Sequence, residues 1–113
     1  MALLATLVLA LSGTPATGLY GTVRRGPTQP VCRVSEPCDA PGYVRLAFSR
    51  SGRIVGRIHT RRDGSYRIRL APGRYTVRTD SRNVFERTPR PATATVPRAA
   101  YRRVNFALDT GIR

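Results

Sequence analysis

One histidine, two cysteines and a few hydroxyl and carboxyl side chains are the residues of this 113-residue sequence whose types suit chemistry. His59 is followed by Thr60, Asp63 and Ser65, which supply a base, candidate nucleophiles and an orienting acid. Their spacing works against a shared site. Neighbours on an extended strand point to opposite faces, so His59 and Thr60 diverge, and Asp63 is taken up by an Asp-Gly turn. No nucleophile, base and orienter in mutual reach can be named, so the expectation is a protein without a catalytic site. Cys32 and Cys38 bracket the segment Cys-Arg-Val-Ser-Glu-Pro-Cys. With His59 they would offer a metal at most three soft ligands, without the spacing of a zinc knuckle. An even pair in an exported chain favours a disulfide instead, closing a loop worth roughly 2–2.5 kcal/mol on the chain-entropy scale. Neither a metal nor a cofactor is expected.

The strongest compositional signal is charge. Twenty basic residues, all arginine, stand against six acids, for a net charge of +14. A genomic bias toward arginine codons explains the absence of lysine. It does not explain the excess over acids, which is also the footprint of a polyanion partner: nucleic acid, anionic lipid or an acidic envelope polymer. Both readings stand. Hydrophobic residues at 41% and charged residues at 23% place the chain among globular rather than disordered proteins.

Ala2 to Leu11 is an uncharged, almost wholly apolar run, followed by the small residues Ser12 to Thr17 with Pro15 among them. That order suits a signal peptide cleaved after Ala16 or Gly18, although no basic residue precedes the apolar run. Its length falls well short of the roughly 20 residues that span a bilayer. The expected organisation is a targeting segment over residues 1–18 and one exported domain over residues 19–113, in the cell envelope or outside the cell.

The elements that must position these residues are strands. From Leu19 onward apolar residues recur at every second position, as in half-buried sheets. Leu19, Gly21 and Val23 alternate with Tyr20, Thr22 and Arg24, and Val44, Leu46 and Phe48 with Tyr43, Arg45 and Ala47. The same period sets Ile54, Gly56 and Ile58 inward, then Tyr66, Ile68 and Leu70, then Tyr75 and Val77, and finally Val104, Phe106 and Leu108. Thr93 to Val96 is a weaker strand between two prolines. Ser51-Gly52, Asp63-Gly64 and Pro72-Gly73 separate consecutive strands with turn chemistry. Residues 53 to 79 therefore read as a three-strand meander. The fold class expected is all-β, a single seven-stranded antiparallel sandwich.

Thr60-Arg61-Arg62-Asp63-Gly64-Ser65-Tyr66, followed by Leu70-Ala71-Pro72-Gly73-Arg74-Tyr75-Thr76-Val77, resembles the hallmark of carboxypeptidase regulatory-like domains. Gly21-Thr22-Val23 is similar to that family's first strand, and the two-cysteine loop is similar to its small secreted actinobacterial members. The resemblance implies a prealbumin-like (transthyretin-like), Ig-like sandwich in which Asp63, Gly64, Pro72 and Gly73 serve as turns. It implies a fold and not an activity. The enzyme branch of that fold, the 5-hydroxyisourate hydrolases, uses several histidines and a Tyr-Arg-Gly-Ser ending, and this sequence has one histidine and reads Thr-Gly-Ile-Arg at its end.

Two binding expectations follow. The first is a non-catalytic interaction module contacting an envelope polymer, such as a carbohydrate, or another protein. The second is a polyanion site on the strands, for teichoic acid, acidic polysaccharide or anionic lipid, nucleic acid being the poorer fit to an exported chain. Alternation turns Arg53, Arg57, Arg67, Arg69, Arg74 and Arg78 away from the core, and they pave one face if the meander stays in one sheet. Tyr20 and Tyr101 share that outward parity and could stack on sugars or bases.

Overall fold

The computed structural model describes residues 16–112; the apolar run of the expected targeting segment lies outside the described residues. In chain order the strands are β1 (Gly18–Gly26), β2 (Ala40–Pro41), β3 (Arg45–Arg50), β4 (Arg53–His59), β5 (Ser65–Arg69), β6 (Gly73–Thr79), β7 (Thr93–Val96), β8 (Tyr101–Arg103) and β9 (Phe106–Asp109). They form two sheets. One holds β1, β2, β5, β8 and β9; the other runs β4-β3-β6-β7.

β1 is the axis of the first sheet. On one side its first half pairs with β5 and its second half with β2, both antiparallel. On the other side it pairs with β8 and then β9, both parallel. The sheet is therefore mixed, and the expectation of a purely antiparallel architecture is corrected. The final strand predicted as one piece is two, broken at Val104–Asn105.

The meander is corrected too. β5 leaves β4 and β6 and joins the opposite sheet. Asp63-Gly64 still turns the chain: Gly64 N–H donates to Arg61 O at 2.8 Å, and the Asp63 carboxylate accepts from the Ser65 amide at 2.9 Å. The turn links two layers instead of closing a hairpin. Leu70 to Pro72 makes the return crossing, pinned where the Tyr75 hydroxyl donates to Ala71 O at 2.5 Å and Arg50 Nη1 to Pro72 O at 3.2 Å.

The layers share one core. Leu19, Val23, Tyr66, Ile68, Phe106 and Leu108 meet Leu46, Phe48, Tyr75, Val77, Ala94 and Val96 from the other sheet. Phe48 and Phe106 bridge them with ring centroids 6.5 Å apart, and Tyr66 joins Phe106 at 5.7 Å. Each such ring, fully buried, contributes roughly 1.5–3 kcal/mol of transfer free energy. Polar residues close the ends. Thr60, buried, donates to Gly42 O at 2.6 Å and accepts from Val44 N–H at 2.9 Å. Thr17 donates to Leu70 O at 2.7 Å, so Thr17 and Gly18 are built into the sheet ahead of Leu19. Cys32 and Cys38 form the expected disulfide across the exposed loop between β1 and β2.

One irregularity alters a predicted face. The β3–β4 register shifts between Phe48 and Ser49, leaving Val55 as the extra residue opposite the partner strand. A bulge reverses side-chain parity on its far side. Gly56 and Ile58 keep the core side, whereas Ile54 pairs with Ser49 and is exposed at 46%.

Candidate functional site

The outer face of the five-stranded sheet collects polar side chains from three strands. β1 turns Tyr20 and Thr22 outward, β5 turns Ser65, Arg67 and Arg69, and β8 turns Tyr101 and Arg103, all opposite in parity to buried Leu19, Val23, Tyr66 and Ile68. Register places Tyr20 between Arg67 and Arg103, and Gly18 between Arg69 and Tyr101. Gly18 matters because it has no side chain: a Cβ there would sit 2.7 Å from the Tyr101 ring. The ring therefore lies across β1, and the Arg67 guanidinium stacks over it, 3.8 Å from the centroid. Arg103 packs more loosely over Tyr20, at 5.6 Å.

A third arginine enters from the turn before β5. Arg61 Nη1 donates to Ser65 Oγ at 3.1 Å, and Ser65 Oγ in turn donates to the Asp63 carboxylate at 2.6 Å. Those Ser65 hydrogen bonds, with the Arg61 charge nearby, hold the Asp63 carboxyl below its usual value. Arg61, Ser65, Arg67 and Arg103 line a concavity of about 450 Å³ together with Tyr20, Thr22 and Asn105.

Asn105 explains the broken final strand. Its side-chain oxygen accepts from Thr22 N–H at 3.0 Å, in place of a strand carbonyl. The neighbouring Val104 carbonyl instead accepts from the Tyr66 hydroxyl at 2.6 Å. Burial pushes that hydroxyl above the usual tyrosine value, so it remains a donor. The sign follows. Above pH about 10 the tyrosine of the unfolded chain ionises while folded Tyr66 keeps its proton, so stability falls as pH rises. Tyr66→Phe is expected to cost about 1 kcal/mol at neutral pH through the lost hydrogen bond, and to flatten the alkaline decline. Urea unfolding of both proteins from pH 7 to pH 11 measures both effects.

Two ion pairs occur among the described residues, Arg24–Asp39 at 2.6 Å and Arg25–Glu86 at 2.8 Å, both from the other end of β1. The arginines of the concavity are held by a hydroxyl and two rings instead. No protein-family model, curated protein or solved structure matches this chain. The site is defined by its geometry.

The six arginines expected on one face are divided among three places. Arg67 and Arg69 belong to the outer face of the five-stranded sheet. Arg57, Arg74 and Arg78 point outward from the opposite sheet, where Arg57 and Arg78 flank Ala47. Arg53 pairs with Arg50 beyond the bulge, where parity is reversed, and lines the hairpin rim with it. The crossing of β5 and the bulge in β4 are the physical reasons. Tyr20 and Tyr101 do share a face, but their rings carry arginines. His59 stands exposed beside Tyr43, with ring centroids 4.2 Å apart, while the Thr60 side chain points inward, so the two are not brought together.

Arg61, Arg103 and Asn105 were not singled out from the sequence. Arg103 carried a usable signal, since it shares its strand face with Tyr101, but its place beside Tyr20 depends on a parallel pairing between distant segments. Arg61 lies in a turn, where alternation is silent.

Proposed function

We propose that this chain is a non-catalytic, extracytoplasmic interaction module of the cell envelope that binds an envelope polymer on the outer face of its five-stranded sheet. The observation that carries the reading is the concavity whose arginines form no ion pair among the described residues and are oriented by tyrosine rings and a serine. Guanidinium groups held this way keep their in-plane N–H donors for a ligand. The disulfide suits an oxidising compartment, and the apolar run near Met1 suits export. Kinship with carboxypeptidase regulatory-like domains, and with their prealbumin-like sandwich, is part of the same proposal. It is supported by the two-sheet architecture and by the Asp63-Gly64 and Pro72-Gly73 turns at the crossings between layers.

The test is binding of the oxidised protein to isolated cell-envelope material across a salt series, with an equally basic unrelated protein as control. Binding above the control that persists at ~0.5 M salt, where the Debye length is roughly 4 Å, is the expected result. Binding that disappears together with the control would reduce the arginines to bulk charge and refute the module.

A further inference from the structure

Resting on that reading, we propose that the concavity formed by Arg61, Arg67 and Arg103 is a phosphate site, and that the polymer it takes is a phosphodiester-linked polyol or sugar. Three features point to a tetrahedral oxyanion. The arginines approach from three elements: the turn before β5, β5 itself and β8. A carboxylate is planar and is satisfied by one bidentate fork, whereas a phosphate presents oxygens in several directions and accepts from donors converging around it. None of the three guanidinium groups forms an ion pair among the described residues, although the Asp63 carboxylate lies near Arg61. Arg67 and Arg103 are engaged through the ring faces of Tyr101 and Tyr20, which leaves the N–H edges in the guanidinium plane open. Arg61 gives one nitrogen to Ser65 and retains the others.

Asn105 supplies a neutral donor. Its oxygen is occupied by the Thr22 amide and hydroxyl, at 3.0 and 3.3 Å, so its NH₂ group is the end left for the concavity. The carboxylate nearest the site, Asp63, is turned to the Ser65 amide and hydroxyl. A singly charged phosphodiester, with two non-bridging oxygens, thus meets donors fixed before it arrives, which reduces the ordering cost of binding. A repeating polymer fits better than a small ion because Arg69 continues the basic row along β5 past Arg67.

The test uses the oxidised protein, calorimetry at fixed ionic strength and two probes of equal charge: a short poly(glycerol phosphate) and an oligogalacturonate. Two triple variants carry the same change in net charge. Arg61→Gln/Arg67→Gln/Arg103→Gln empties the concavity, and Arg57→Gln/Arg74→Gln/Arg78→Gln empties the opposite sheet. With roughly tenfold lost per charged hydrogen-bonding partner, the first triple is expected to lower affinity for the phosphate oligomer at least ~100-fold. The second should change it by only a few-fold, through long-range screening. Arg67→Lys, which keeps the charge and loses the planar fork, should fall between and guards against misfolding of the triple. Equal losses in the two triples would overturn the proposal, as would equal affinity for the galacturonate. If the wild type binds neither oligomer yet holds envelope material at high salt, the phosphate site is refuted and the envelope module stands. If envelope binding is absent as well, both fall.

Discussion

Gly64→Ala is expected to lower the free energy of unfolding by about 4 kcal/mol, enough to leave a domain of this size largely unfolded under mild denaturation. Gly64 ends the turn between the two sheets with φ +85°, a region where a side chain costs about 1–2 kcal/mol. The second contribution is contact. A Cβ would lie 2.4 Å from the carbonyl oxygen of Val23, in the centre of β1. That carbonyl accepts from Gly42 N–H at 2.8 Å, and Gly64 O accepts from Val23 N–H at 2.8 Å, so moving either partner disrupts both bonds. Gly52 provides the control. It also has positive φ, +74°, but nothing lies within 4 Å of its Cβ position. Gly52→Ala should therefore cost only the backbone penalty, about 1 kcal/mol. Urea unfolding of the two variants under oxidising conditions separates the effects. Equal costs would show that the close approach to β1 contributes nothing.

The same turn shows how far the sequence could be read. Asp63-Gly64 and the period-two alternation around it identify a turn and two strands correctly, because both signals arise within a few residues of chain. Neither signal says whether the next strand pairs with the last one or crosses to another layer. That choice depends on which partner β5 meets, and β5 meets β1, more than forty residues earlier. Alternation also assumes an unbroken register, so it failed at Ile54 and Arg53, where an extra residue in β4 reverses parity. Tyr20, Arg67 and Tyr101 were each given the correct side of their own strand. Their convergence was not legible, since it requires β8 to lie parallel to β1 and Gly18 to make room for a ring.

Glu86→Ala should cost about 3 kcal/mol, because it removes a buried carboxylate that three separate segments share. Glu86 ends a short 3-10 turn, Val84–Glu86, and its side chain is only 4% exposed. One oxygen accepts from Arg25 Nε at 3.0 Å and Nη2 at 2.8 Å, and the other accepts from Ser81 Oγ at 2.9 Å. The backbone of the same residue accepts from the Thr79 hydroxyl at 2.9 Å, tying the turn to the end of β6. Asn83, which caps the turn, carries the linkage onward by donating to Thr110 O at 2.8 Å, beyond β9. The carboxylate thus holds β1 against the strap that connects β6 to β7. Arg25 is 41% exposed, so its charge can return to water when the partner is lost, which keeps the cost at the lower end for a broken buried pair. Glu86→Gln preserves the shape and one acceptor, and should cost about half as much, because charge-assisted hydrogen bonds are roughly twice as strong as neutral ones. The diagnostic readout is amide exchange: protection should fall at Thr79 and Gly111 while Leu46 and Val77, in the core of the four-stranded sheet, stay slow. Uniform loss of protection across both sheets would mean that Glu86 is part of the global core and not a clasp on one end.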